Sequence, residues 1–258
     1  MNYLIQNIEL LKHNPLETIS KLSNNELERI LKYTSHKYYN TSTPIISDEL
    51  FDILYSKMIE RNSNFQLNGI SIEKDTQKTK LPIWLGSMNK IKNIDKWICD
   101  YKGPYILSNK LDGLSCLLEF KKGEIKLFTR GDGIYGQDIS NLIPYLNLPN
   151  LENKPNLLIR GKLVISKNNF EMFKDEFNNE RNLVSGIVNS KKIQTDAINY
   201  IDYVVYQLIY LDKLIKPSTQ FIELNNLGFN VVHYKLVETI SNQQLSDFLI
   251  YERNYGKY

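Results

Sequence analysis

The hexapeptide Ser108-Asn109-Lys110-Leu111-Asp112-Gly113 is followed, one hairpin's length later, by Thr129-Arg130-Gly131-Asp132-Gly133. Between them runs an alternating series, Leu114, Cys116, Leu118 and Phe120, then a turn at Lys122-Gly123, then Glu124-Ile125-Lys126-Leu127-Phe128 returning. A period of two bounded by turn residues predicts a β-hairpin with one buried face. Lys110 then sits on a short loop leading into one strand and Arg130 just beyond the other, so both side chains can look into one site.

A lysine held on such a loop can act as a nucleophile when its surroundings lower its pKa or set it against an electrophile. Asp112 can orient the ammonium or contact a substrate, and Gly113 lets backbone approach closely. An arginine beside glycines contacts anions well, because guanidinium and backbone amides can share one phosphate or ribose. Taken alone, either motif also fits an exposed Asp-Gly turn. Two of them joined by a hairpin are a far stronger signal.

With both motifs the chain resembles the NAD-dependent DNA ligases, which belong to the covalent nucleotidyltransferases. The resemblance implies that Lys110 attacks the α-phosphate of NAD, expels nicotinamide mononucleotide and holds AMP as a lysyl phosphoramidate. The adenylate would pass to the 5′-phosphate of nicked double-stranded DNA, where the 3′-hydroxyl displaces it. Mg²⁺ is implied as the charge-neutralising cofactor, and Asp112 and Arg130 as partners of Lys110 in catalysis. Ser108, Leu111 and Gly113 fall beside the motif lysine at nucleotide-contacting positions.

Lys-x-Asp-Gly is shared with ATP-dependent ligases and capping enzymes, so NAD rests on a second segment, from Tyr38 to Asp52 (YYNTSTPIISDELFD). Read physically, this is a helix end, a Pro-containing loop and a new helix, with Ser47 as N-cap and Asp48 and Glu49 in the first turn. Leu50, Ile53, Leu54 and Met58 form an apolar stripe, while Asp48, Phe51 and Asp52 share another face. The segment is similar to the nicotinamide mononucleotide-binding segment of the NAD-dependent class. By that resemblance Tyr38, Tyr39, Asp48, Phe51 and Asp52 meet the nicotinamide, its amide and its ribose. Tyr39 stands where the family often has histidine, and Phe51 where it often has tyrosine. A helix-packing role for the aromatics and a capping role for the acids is the alternative.

Further positions follow from the same resemblance. Leu81 to Asn89 is similar to the segment that closes over adenosine, with Ser87 and Met88 at the contacting positions, and Tyr206 matches the aromatic that stacks on adenine. Asn179-Glu180-Arg181-Asn182 matches a motif whose arginine, Arg181 here, contacts a phosphate of nicked DNA; Asn189 replaces a second DNA-binding arginine. Lys162, in Leu158-Ile159-Arg160-Gly161-Lys162, reverses the charge of a glutamate that contacts the AMP ribose. Ser108 replaces a glutamate that reads adenine. The chain stops at Arg253-Asn254-Tyr255-Gly256-Lys257-Tyr258, where the family continues into an Ile-Asp-Gly-Val-Val strand and two phosphate-binding lysines.

At 258 residues, with 42% hydrophobic and 24% charged residues, the composition is that of an ordinary globular protein with one good core and a satellite. A net charge of +3 is compatible with DNA contact but is no evidence for it. Cys99 and Cys116 lack metal-ligand spacing and read as reduced, buried or semi-buried thiols. No apolar run approaches a membrane span and no signal peptide opens the chain. The expectation is an intracellular, non-secreted monomer that engages no membrane.

The first ~60 residues read as helices, with Ser23-Asn24-Asn25-Glu26 as a capping box ahead of Leu27, Ile30 and Leu31. Ser71 to Lys80 reads as a linker. Strands follow at Tyr105–Ser108, Leu114–Phe120, Glu124–Thr129, Leu157–Ile165 and Tyr203–Leu211, with a helix bearing Phe170, Phe173 and Phe177 among them. The expected fold class is α+β: a helical nicotinamide mononucleotide-binding domain over 1–72, then an antiparallel-sheet nucleotidyltransferase core (ATP-grasp-like) over 81–258, lacking its last strands. Three functions remain open: the adenylation part of a ligase, a degenerate paralogue that binds nucleotide or DNA without turnover, and an ATP-dependent RNA ligase or capping enzyme. The third is disfavoured by the Tyr38-to-Asp52 segment.

Overall fold

Hydrophobic burial divides the chain into two units, Met1–Thr76 and Gln77–Tyr258. The computed structural model describes residues 2–40, 45–65, 67, 78–86, 91, 94–190 and 195–258, and for residues 2, 38–40, 48, 49 and 195 the backbone only.

The first unit is helical: α1 (Asn2–His13), α2 (Pro15–Lys21), α3 (Asn24–Asn40) and α4 (Asp48–Arg61). Their apolar stripes meet in a core that includes Ile8, Leu11, Leu27, Ile30, Leu31 and Leu54. The capping box ahead of α3 is formed. The Ser23 backbone N–H donates to Glu26 Oε2 at 2.8 Å, and the Glu26 N–H returns to Ser23 Oγ at 3.3 Å. Ser47 Oγ accepts from the Leu50 N–H at 3.2 Å and opens α4. The Arg61 guanidinium donates to the Leu22 and Ile19 carbonyls, each at 2.7 Å, satisfying orphan groups at the end of α2.

The α4 stripe differs from expectation at one position. Leu50, Leu54 and Met58 are buried, but Ile53 is exposed. Packing continues instead toward Phe51, Tyr55 and Ile59, which lie half-buried against the same core. A helix has two flanks beside an i, i+4 row, and tertiary contact chose the aromatic one.

The second unit is mixed helix and antiparallel sheet, as the α+β expectation requires. In chain order it holds β1 (Lys78–Lys80), α5 (Ile94–Asp100), β2 (Tyr105–Ser108), β3 (Leu114–Lys121), β4 (Glu124–Thr129), β5 (Tyr135–Gln137) and a 3-10 turn (Ser140–Tyr145). Then come β6 (Leu157–Ile165), α6 (Lys167–Phe170), α7 (Glu180–Asn189), α8 (Thr195–Ile198), β7 (Ile201–Ile209), α9 (Pro217–Asn226), β8 (Tyr234–Val237) and α10 (Asn242–Tyr255).

The main sheet has the order β4-β3-β6-β7 and is antiparallel throughout. The β3–β4 hairpin turns at Lys122 and Gly123, both at positive φ (53° and 83°). That is the backbone a two-residue hairpin needs to match strand twist. Two smaller pairs, β1 with β5 and β2 with β8, flank it.

The sheet has two differently used faces. One carries Cys116, Leu118, Phe120, Leu127, Ile159 and Leu163 into the main core. The other carries two separate apolar islands. Leu81, Leu85, Leu117, Phe128 and Leu158 form one, and Leu111, Val164, Val204, Phe221 and Val232 form the other.

Several expectations are corrected. Lys78–Lys80, read as linker, is a strand whose partner is β5. β7 runs Ile201–Ile209 rather than Tyr203–Leu211, because its partner β6 spans only the length that pairs Ile165 with Ile201 and Leu158 with Ile209. The helix expected around Phe170 to Phe177 is one short turn, α6, followed by tight turns; all three phenyl rings still pack against the main core. Cys116 is buried, and burial pushes its thiol up to about 12, but Cys99 is exposed. No described helix is long and apolar enough to cross a membrane.

Replacing Ser23 by Ala removes the side-chain acceptor at the start of α3. The expected cost is about 1 kcal/mol, read as a lower urea midpoint in the transition of the helical unit, with that of the sheet unit unchanged.

Candidate active site

Between the two apolar islands the second face of the sheet is polar, and the strand register sets what stands there. Ser115 on β3 faces Lys162 on β6, and the Ser115 carbonyl accepts the Arg130 N–H at 2.9 Å. Arg130 and Lys162 thus flank Ser115 from neighbouring strands, roughly 10 Å apart. One row along, Leu117 faces Arg160. The Arg160 guanidinium donates to Gln207 Oε1 at 3.0 Å and to the Trp84 carbonyl at 2.6 Å.

β7 contributes through a bulge. Arg160 faces Gln207 but Gly161 faces Val205, so Tyr206 is the extra residue. Tyr203, Val205 and Leu208 point into the main core, while Tyr206 packs half-buried against the second apolar island. Burial raises the Tyr206 phenol, and the nearby Arg160 and Arg130 partly oppose that.

The Lys110 loop lies at the Val164 end of this face. Leu111 is buried in the second island, and Lys110 and Asp112 are exposed. Gly113 passes so close to β6 that a Cβ there would fall 2.4 Å from the Leu163 carbonyl oxygen and 2.6 Å from Val164 Cγ1. Asp112 Oδ1 accepts from Arg181 Nη1 at 3.2 Å. Arg181 is carried in the first turn of α7, whose N-cap Asn179 accepts from the Asn182 N–H at 2.8 Å.

Lys162 reports the field of the whole group. Its pKa is pushed down from the usual 10.5 to about 8, first by burial and then by Arg181, Lys110 and Arg130, with Asp112 pulling the other way. The sequence-predicted Lys110, Asp112, Arg130, Lys162 and Arg181 therefore converge: four cations and one carboxylate. An excess of positive charge of this kind is suited to an anionic ligand. Mg²⁺ fits it poorly as a resident ion: the carboxylate faces Arg181, and no group of three His, Cys, Asp or Glu suited to a metal occurs among the described residues.

The strap ahead of α5 reaches the same face. The Leu81 N–H donates to the Ile134 carbonyl and the Leu85 N–H to the Gly133 carbonyl, both at 2.8 Å. Residues 81–86 are thereby held against the Arg130–Tyr135 loop, with Trp84 66% exposed. Ser87 and Met88 lie outside the described residues. Ser108 ends β2, exposed and opposite Tyr234.

In the helical unit, Tyr38 and Tyr39 fall in the last turn of α3 and Asp48 begins α4; their side chains lie outside those described. Phe51 stacks on Tyr55, with ring centroids 6.5 Å apart and planes 8° apart, and Asp52 is exposed.

Two residues near the site carry no role in the sequence reading above. Arg160 shares the face of Lys162 by strand period, a signal that was available. Glu252, bonded to His233 and to Asn109 beside the nucleophile candidate, has no local signature, since 143 residues separate it from Asn109.

Comparison with known proteins gives a consistent picture. Residues 64–252 match the family described as the NAD-dependent DNA ligase adenylation domain. A DNA ligase of Acanthamoeba polyphaga mimivirus is 39% identical over 241 residues, which is 90% of this chain and 38% of that protein. A DNA ligase of Clostridioides difficile is 28% identical over 249 residues, 84% of this chain and 37% of that protein. The chain thus spans under two fifths of the length of these relatives. The solved structure of "Pmar-Lig_Pre." matches with TM-score 0.43 and 13% identity, over 83% of this chain and 45% of that one.

The Lys162 shift has a stability consequence. Its folded pKa lies below its unfolded one, so between about pH 8 and 10.5 the unfolded chain binds more protons and stability rises with pH. Below that window the buried charge costs at most on the order of 3 kcal/mol. Lys162→Met should therefore be more stable than the parent at pH 7, and the gap should close toward pH 10.5, measured as paired urea midpoints across pH.

Proposed function

This chain belongs to the NAD-dependent DNA ligase adenylation-domain family, and from that premise we propose that Lys110 is adenylated by NAD. The observation that carries the reading is the exposed Lys110 standing in a cluster with Arg130, Lys162 and Arg181, on a sheet face walled by two apolar islands. A dinucleotide brings two linked phosphates and two flat apolar rings, which suits cations between apolar walls.

In the proposed step the deprotonated Lys110 amine forms an N–P bond to the α-phosphate. The P–O bond to the nicotinamide mononucleotide phosphate breaks, the electron pair leaves on that oxygen, and the amine's surplus proton goes to solvent. Arg130 and Arg181 stabilise the charge that builds on the phosphates. Asp112, paired to Arg181, sets the guanidinium's direction. Tyr206 and Ser108, with Leu111 and Gly113, line the adenosine side.

Tyr38, Tyr39, Asp48, Phe51 and Asp52 of the helical unit would hold the leaving mononucleotide, an orientation effect. The AMP would then pass to the 5′-phosphate of nicked double-stranded DNA, with Arg181 a contact to that strand. Mg²⁺, where present, would come with the substrate phosphates.

Incubation with adenylate-labelled NAD and Mg²⁺ should give one acid-labile AMP per chain, and labelled ATP none. Lys110→Ala should remove the adduct; label that persists in that variant would refute the assignment. No adduct from the folded parent would favour a nucleotide- or DNA-binding module without turnover.

Lys162 supplies only donors where a carboxylate would accept a ribose hydroxyl bond. Lys162→Glu should raise adduct formation roughly tenfold, about 1.4 kcal/mol of transition-state stabilisation, in single-turnover labelling. A fall would mean that the lysine serves the phosphates directly.

A further inference from the structure

Glu252 is a buried carboxylate, 5% exposed, on α10, an element to which the proposed chemistry assigns nothing. A buried carboxylate is costly unless it is paired and fully hydrogen-bonded. Its partners here lie just beyond the facing ends of β2 and β8, beside Lys110. Oε2 accepts from Asn109 Nδ2 at 2.8 Å, and Oε1 meets His233 Nδ1. Asn109 and His233 also face each other across the extended β2–β8 ladder, the Asn109 N–H donating to the His233 carbonyl at 3.1 Å. One carboxylate thus closes the end of that ladder at the residue just before Lys110.

The seat of Glu252 is itself fixed. Lys167 Nζ donates to the carbonyls of Glu252, Arg253 and Gly256, at 3.3, 3.2 and 3.0 Å, and ties the end of α10 to the end of β6. Gly256 folds back over the carboxylate; a Cβ there would fall 3.1 Å from Oε2 and 2.4 Å from the Glu252 carbonyl oxygen. On its far side His233 stacks on Phe248 with centroids 5.5 Å apart. The carboxylate has little room to move.

We propose that Glu252 is a positioning residue for Lys110, acting through the Asn109 side chain. It completes a set of backbone anchors around the lysine. Asn109 is clamped before it, Leu111 is buried after it, Asp112 is tied to Arg181, and Gly113 is pressed on β6. Only the Lys110 side chain is left to swing. A displaced nucleophile loses rate steeply even when substrate still binds, because in-line attack tolerates little misplacement. The inference rests on the reading of Lys110 as the adenylated residue.

The test uses the whole chain with Asn109→Ala, Glu252→Ala and Glu252→Gln, and two readouts. In single-turnover labelling from NAD, each alanine variant should slow Lys110 adenylation tenfold or more at saturating NAD, with half-saturation unchanged within about twofold. The double alanine variant should be no slower than the slower single, since the pair acts as a unit. Glu252→Gln should recover most of the loss, because its amide oxygen still accepts from Asn109. In hydrogen exchange, the amides of residues 109–113 should exchange tenfold or more faster in Asn109→Ala, a variant that leaves the buried Glu252–His233 pair in place.

Unchanged loop exchange in Asn109→Ala overturns the proposal, whether or not NAD labels the chain. Additive losses, or a weakened half-saturation at unchanged maximal rate, overturn it as well. Failure of the parent to label, or label surviving Lys110→Ala, instead removes the reading on which the rate readout rests, and the exchange readout then decides the clamp alone.

Discussion

The bulge at Tyr206 governs how the main sheet divides its labour. β6 is the central strand, and its alternation sends Ile159 and Leu163 into the core while Arg160 and Lys162 stand on the other face. β7 must match that alternation along its whole length. It does so by inserting one residue, so that Val205 and Leu208 are both inward although three positions apart. A regular strand would have turned either Val205 or Leu208 onto the charged face, and a one-residue slip exchanges every side chain between faces. The inserted residue is the aromatic that borders the charged row, so the irregularity also supplies a wall of the site.

That charged row is costly to the fold. Four cations in one neighbourhood with one carboxylate repel each other, and Lys162 feels this most because burial adds to it. Two features contain the cost: Lys110 stays in solvent, and Asp112 faces Arg181. What remains is an excess of positive charge in a cleft between apolar walls. A bound polyphosphate relieves that excess, so ligand affinity and the cost in the free protein share one origin.

Much of this was legible in the sequence where one periodicity acted alone. The hairpin from Leu114 to Thr129, the strand Leu157–Ile165, the capping box at Ser23 and the N-cap at Ser47 were all readable from alternation or from cap residues, because local physics decides them. The ends of β7 were not, since a partner strand's length set them. Nor was the outward turn of Ile53, since the aromatic flank of α4 won the contact. The hairpin brought Lys110 and Arg130 together, and Lys162 and Arg181 were placed by family resemblance alone, but the Asp112–Arg181 pair joins positions 69 residues apart and needs the fold. Glu252 was illegible: a lone glutamate on an amphipathic helix reads as a surface residue, and its partners Asn109 and His233 lie 143 and 19 residues away.

Backbone order and side-chain freedom at Lys110 belong together. On the proposed function, Lys110 must reach a phosphorus, lose a proton, and afterwards carry a bulky adduct toward a second acceptor. A long flexible stem serves these steps, but only if its root stays fixed, since motion of the root multiplies along the stem. Rigid strands on either side would provide this for a residue within a strand. Lys110 instead lies between β2, which belongs to the small β2–β8 pair, and β3, which belongs to the main sheet. Past the Asn109 N–H bond to the His233 carbonyl, a loop joining two separate sheets has no ladder of its own, so side chains complete the holding: Asn109 on one side, Leu111 and Asp112 on the other. The burial of Glu252 is reasonable in that light, because its side chain engages residues flanking both strands at one end of the β2–β8 ladder where an apolar side chain could only fill space.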